Sequence, residues 1–148
     1  MCELFETCIH EAGHLFVLRH FGGDGYIEIF DNPINTELEK DILGRVRCTK
    51  QPLKIHQTTK TNILVGLAGH CAELLHFNPE TEWLAYELQD FWEYEFDSIS
   101  NSDRNLTKHA VFDDFFDCAD LITNNYGEIL DIAKAHFMKC HAKEKPIE

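Results

Sequence analysis

The period of the apolar positions changes several times along the chain, and each change marks an element. From Leu4 to Phe21 the residues Phe5, Cys8, Ile9, Ala12, Leu15 and Phe16 recur at helical spacing, which predicts a long, largely buried first helix. Gly22-Gly23 supplies the residue type that ends one. Tyr26-Ile27-Glu28-Ile29-Phe30 then alternates, Asp31-Asn32-Pro33 interrupts, and Gly44-Arg45-Val46-Arg47-Cys48 alternates again. Two strands of a small sheet are expected there, with a polar connection around Asn35 to Asp41 that has room for a short turn. Between Thr59 and Phe77, the residues Ile63, Leu64, Leu67, Ala68, Cys71, Leu74 and Leu75 form one stripe, and Asn78-Pro79 stops it.

The rest of the chain reads as helical. In the acidic, aromatic stretch from Glu80 to Phe96, Leu84, Leu88, Phe91 and Trp92 fit a face opposite Glu82, Glu87 and Glu95. Two further helices are predicted, from Arg104 to Ile122 and from Gly127 to His141, separated by the turn-forming Asn124-Asn125-Tyr126-Gly127. No repeat or linker interrupts the pattern. The expected fold is therefore mainly α, a single domain over residues 1–148 with a small β-sheet or hairpin after the first helix.

Composition narrows the class. Hydrophobic residues make up 44% of the chain, enough for a folded core rather than a disordered polymer. No uncharged apolar run reaches membrane-spanning length, so no membrane insertion is expected. The opening Met1-Cys2-Glu3-Leu4-Phe5-Glu6 is acidic where a secretory signal would be basic, which points to the cytoplasm. A net charge of −13 repels a phosphate backbone, so nucleic acid is not expected as a partner and basic segments are better accommodated. The six cysteines have no close pairing and no C-x-x-C knuckle, which predicts reduced, partly buried thiols.

The chemistry concentrates in the first helix, at His10-Glu11-Ala12-Gly13-His14. Histidines four apart lie on one face, one turn from each other, where both imidazoles can hold one tetrahedral ion. Glu11 follows the first of them and can lie beside the metal as a general base in peptide hydrolysis. The bare pattern arises by chance in roughly one chain of such composition in twenty. Its apolar surroundings add weight, because two adjacent buried imidazoles need partners and a metal serves both.

The segment Thr7-Cys8-Ile9-His10-Glu11-Ala12-Gly13-His14 resembles the opening of the peptidase domain of FtsH-type AAA zinc proteases. Further along, Leu43-Gly44-Arg45-Val46 follows the first strand as in that family. Leu64-Val65-Gly66-Leu67-Ala68-Gly69-His70-Cys71-Ala72-Glu73-Leu74-Leu75 is similar to its second helix, with Leu74 and His70 standing where a glutamate and an arginine are usual. Ser100-Asn101-Ser102-Asp103 resembles the segment whose aspartate completes the zinc site. The likeness implies one Zn2+ ion held by His10, His14 and Asp103, with Glu11 as the catalytic base. Glu73 is the rival third ligand, or else a support for a ligand imidazole.

No Gly-x-x-x-x-Gly-Lys-Ser/Thr phosphate loop occurs, so the resemblance implies an ATP-independent metallopeptidase acting on flexible or unfolded peptide segments. Tyr26 to Phe30 is the candidate edge for pairing with a substrate strand. The alternatives are a zinc-bound regulatory or adaptor domain with little hydrolytic activity and a metal-free helical interaction protein. Oligomeric state stays open. Among the other histidines, His20 points away from the ligand face, and His70 and His76 are expected in solvent or core roles. His56, His109, His136 and His141 receive no function, and Asp97, Asp113 and Asp114 read as solvated acidic positions.

Overall fold

The computed structural model describes residues 3–31 and 42–144, with side chains over 3–30 and 42–140. The connection expected around Asn35 to Asp41, and Cys2, lie outside the described residues. Over the described residues the chain is mainly helical, with a small two-stranded antiparallel sheet after the first helix.

Helix α1 (Glu3–His20) is buried along most of its length, with Cys8, Ile9, Ala12 and Val17 fully enclosed. A helix apolar on nearly every side must lie among other elements. Here α2 (Thr59–Phe77), α6 (Tyr126–Glu144) and the strands β1 (Asp24–Asp31) and β2 (Ile42–Lys50) surround it. The helix ends where the sequence turns to glycine. Gly22 adopts a φ of 90°, open to glycine at little cost, and the Gly22 and Gly23 N–H groups donate to the Arg19 and Leu18 carbonyls. The chain then returns as β1, paired with β2 in a register that sets Ile27 opposite Val46 and Ile29 opposite Gly44.

α1 and α2 approach each other closely at Gly13. A Cβ there would lie 2.6 Å from the Ala68 carbonyl oxygen and 2.9 Å from the Ala72 Cβ, so a larger residue would push the helices apart. α2 begins at Thr58, whose hydroxyl accepts from the Thr61 N–H. On its far side lie α3 (Leu84–Tyr94), α4 (Asn101–Thr107) and α5 (Phe112–Asn124).

The single helix expected from Arg104 to Ile122 is in fact two, α4 and α5, interrupted between Thr107 and Phe112. Hydrogen bonding explains the break. The Thr107 hydroxyl donates back to the Asp103 carbonyl, the Ala110 N–H closes on the Thr107 carbonyl, and the Asp114 carboxylate accepts the Val111 N–H and starts a new helix. The acidic-aromatic segment is helical only over Leu84–Tyr94, shorter than the expected Glu80 to Phe96. The turn expected over Asn124 to Gly127 is also tighter, with Asn125 alone between α5 and α6. Among the described residues no helix is long and apolar enough to cross a membrane.

Candidate metal centre

Three helices meet at one polar point in this apolar interior. α1 brings His10, Glu11 and His14; α2 brings His70 and Glu73; α4 brings Asp103. His10 and His14, one turn apart on α1, turn their Nε2 atoms toward each other at 3.0 Å. The Asp103 Oδ2 stands 3.3 Å from the His14 Nε2 and 3.5 Å from the His10 Nε2. A tetrahedral ion with bonds of about 2.0–2.1 Å separates its ligand atoms by about 3.3 Å, so this triangle has the dimensions of one face of such a site.

The outer nitrogens fix the direction of the inner ones. His14 Nδ1 is 2.6 Å from the Val65 carbonyl oxygen, which can only accept, so that nitrogen carries the proton. His10 Nδ1 lies 2.6 Å from Glu73 Oε1 and donates to it in the same way. Both Nε2 lone pairs are thereby left facing one another and a carboxylate. Three acceptors converging in a buried space repel unless a cation lies among them.

Protonation behaviour reports the same demand. Burial, the largest influence on His10 and on His14, would lower their pKa values. For His10 the charge of Glu73 and the hydrogen bonds to Asp103 and Glu73 outweigh it, and for His14 the charge and hydrogen bond of Asp103 do so, leaving both raised. Asp103 is driven well below the usual carboxylate range, because His14 and His10 overcome the effect of its burial. Glu11, 6% exposed, is raised chiefly by burial, with the His10 and His14 charges opposing. A carboxyl whose charged form burial disfavours takes up a proton more readily than an exposed one.

The sequence expectation paired His10 and His14 with either Asp103 or Glu73, and the geometry separates the two carboxylates. Asp103 faces both Nε2 atoms, whereas Glu73 faces the Nδ1 of His10, on the far side of that ring. Asp103 is not ahead of its helix as expected but in its first turn, where its N–H donates to the Ser100 hydroxyl. α4 is held in place by a buried chain of bonds, Trp92 Nε1 to the Thr107 hydroxyl and that hydroxyl to the Asp103 carbonyl. Gly66 lets α4 close on α2, since a Cβ there would stand 2.7 Å from the Thr107 Cγ2.

Several contributors were not identified from sequence. His70, expected in a solvent or core role, is buried beside His10, with ring centroids 4.6 Å apart. Burial first, and then the His10 charge, lower its pKa to about 3. Gly69 leaves the volume that the imidazoles occupy: its Cβ would lie 2.5 Å from His14 Nε2 and 2.6 Å from His10 Nε2. Gly44 does the same for Glu11, whose Cγ would be 2.7 Å from a Cβ on that strand. A usable signal was the small-residue spacing Gly66-x-x-Gly69 just before His70 and Glu73.

The centre opens into a cleft of about 500 Å³. Its wall includes β2 from Ile42 to Val46 and Cys48, with Phe30 as the contribution of β1 among the described residues. The strand facing the site is thus β2, not the expected Tyr26 to Phe30, because β2 crosses α1 at Glu11. Asp114 departs from expectation as well: it is 4% exposed rather than solvated, and is paired with Lys60. His20 is exposed, as expected. Among the described cysteines, Cys8, Cys71 and Cys118 are buried and Cys48 is exposed. No protein-family model and no curated protein sequence matches the chain.

Proposed function

We propose that this chain is a zinc-dependent, ATP-independent metallopeptidase that hydrolyses peptide bonds in flexible or unfolded segments. The observation that carries the reading is the convergence of His10 Nε2, His14 Nε2 and Asp103 Oδ2 within 3.0 to 3.5 Å of one another, beside a buried Glu11. Three protein ligands leave a fourth position for chemistry, as in catalytic rather than structural zinc sites. The FtsH-type resemblance of the same residues supports the assignment.

Zinc bound there would polarise a substrate carbonyl and bring the pKa of water down to about 7. The chain's own residues do the rest. Glu11 takes the proton of the attacking water and later delivers it to the leaving amine. Glu73 and the Val65 carbonyl hold the two imidazoles in the tautomer that offers Nε2. β2 runs along the cleft with no third strand beside it among the described residues, so its outer edge can hydrogen-bond an extended peptide and lay it across the site. The net charge of −13 favours basic segments.

The test combines metal analysis with cleavage of an unfolded protein by wild type and Glu11→Gln. Wild type is expected to hold one zinc per chain and to cleave. Glu11→Gln should keep the metal and lose about 100- to 10,000-fold in rate. Full metal occupancy with no Glu11-dependent cleavage across a broad peptide panel would favour a regulatory or adaptor domain instead.

A further inference from the structure

His70 remains outside the roles given so far, although it is buried against His10 and lines the same cleft. Its ring is clamped on three sides: against Phe91 at 4.5 Å between centroids, Trp92 at 5.3 Å and the edge of His10 at 4.6 Å. The residue is only 5% exposed, yet among the described residues no protein group hydrogen-bonds its nitrogens. No fully enclosed side-chain nitrogen or oxygen lacks a partner among the described residues, so the nitrogens of His70 reach the cleft that the residue lines. One ligand-type atom each of His10, His70 and Asp103 lies within 4.8 Å of the others.

From this geometry we infer that His70 supplies the hydrogen bond to the oxygen atom of whatever occupies the open side of the metal centre, a carbonyl or carboxylate oxygen of a bound peptide. The His10, His14 and Asp103 atoms are 3.0 to 3.5 Å apart, the separation of atoms sharing one ion. The ligand-type atom of His70 lies within 4.8 Å of those of His10 and Asp103, near enough to meet an oxygen atom bound on that side. The aromatic clamp fixes the ring before anything binds, and a preorganised donor stabilises an oxygen on which charge develops. The inference rests on the metallopeptidase reading for its substrate but not for its measurement.

Cobalt(II)-substituted protein titrated with acetohydroxamate, a small chelating oxygen ligand, tests it through the visible spectrum of the metal without any cleavage assay. His70→Phe keeps the ring against Phe91 and Trp92 and removes both nitrogens; His70→Gln keeps a polar head. Both variants are expected to retain one metal per chain. His70→Phe should bind acetohydroxamate about 10-fold more weakly, the loss of one hydrogen bond, and His70→Gln should recover most of that affinity. In parallel, the same substitution should lower kcat more than it raises KM.

Wild-type affinity in a folded His70→Phe would overturn the inference and make the residue a packing element. Loss of metal from both folded variants would also overturn it, by making His70 a ligand. Should His70→Phe fail to fold by circular dichroism, His70→Leu and His70→Gln decide by the same two readouts. Acetohydroxamate binding that depends on His70 in a protein that cleaves nothing would sink the peptidase reading and leave this one standing. A wild-type chain that takes up no metal would sink both.

Discussion

Asp103 and Asp114 are buried carboxylates, each in the first turn of a helix and 6% and 4% exposed, yet their surroundings differ in kind. Asp114 brings its compensation with the fold: one oxygen meets the Lys60 ammonium and the other accepts the Val111 N–H. Lys60 is always charged at neutral pH, and the contact joins α2 to α5. Asp103 instead faces two imidazoles whose other nitrogens are already committed to Glu73 and the Val65 carbonyl. Those rings are cations only when protonated. One aspartate is therefore neutralised by the chain itself, while the other is arranged so that a proton or a metal must complete it. A buried acid whose compensation is left open is the mark of a site, and a buried acid that carries its own is the mark of a joint.

Removing each carboxylate should break the comparison in opposite ways. Asp103→Asn is expected to weaken zinc binding by more than the roughly 100-fold that loss of a supporting contact costs, measured by competition with a chromophoric chelator. Asp114→Asn should leave zinc affinity within about twofold of wild type. Its cost appears instead as about 1–2 kcal/mol of unfolding stability, from a weakened helix start and ion pair. Equal losses of zinc in the two variants would mean that the sites are not distinct.

Acid-base linkage separates metal-free from loaded protein. Without metal, His10 and His14 have raised pKa values despite their burial, through Glu73 and Asp103 for the first and Asp103 for the second. Their contribution to stability is complete below the unfolded value of about 6.5 and is lost as pH rises through the folded values. Asp103, lowered by His14 and His10 against its burial, contributes above about 3.9 and loses that contribution as pH falls through its folded value. Zinc at the proposed site would require both imidazoles deprotonated, so its affinity should climb as theirs for protons fades. The Tm of metal-free protein should fall by a few degrees between about pH 6 and 9, while the increment added by zinc grows. Parallel curves with and without zinc would show that protons and metal do not compete there.

How much of this was legible depended on whether a feature is local. His10, Glu11 and His14 could be placed together from sequence because helical geometry alone brings positions four apart onto one face. Asp103 came from resemblance, since nothing within α4 reveals that it meets α1. The core role expected for His70 agrees with its burial. Its place beside His10, like the parts of Gly69 and Gly44, was not legible because it depends on how α2 and β2 dock on α1, a packing of residues far apart in the chain. The break between α4 and α5 escaped for a related reason. Apolar residues continue at helical spacing across Lys108 to Val111, and what interrupts the helix is a threonine hydroxyl and an aspartate cap. Asp114 looked solvated because its partner, Lys60, is 54 residues away.

The smallest expected effect tests whether Asp114 is as self-sufficient as the comparison holds. Lys60 is 45% exposed at its side chain and also meets Asp117, which is 54% exposed. Water therefore screens the pair, and its net worth should fall within the range of surface ion pairs, up to about 1 kcal/mol. Lys60→Met retains the apolar stem, so its unfolding free energy should drop by no more than that. The drop should shrink as salt is raised from about 0.05 to 0.5 M, and zinc affinity should not move. After the substitution the Val111 N–H still holds one oxygen of Asp114, and the vacated rim lets water reach the other. A loss of several kcal/mol, insensitive to salt, would instead show that Asp114 is as dry as Asp103. The contrast between the two aspartates would then lie only in which cation each one meets.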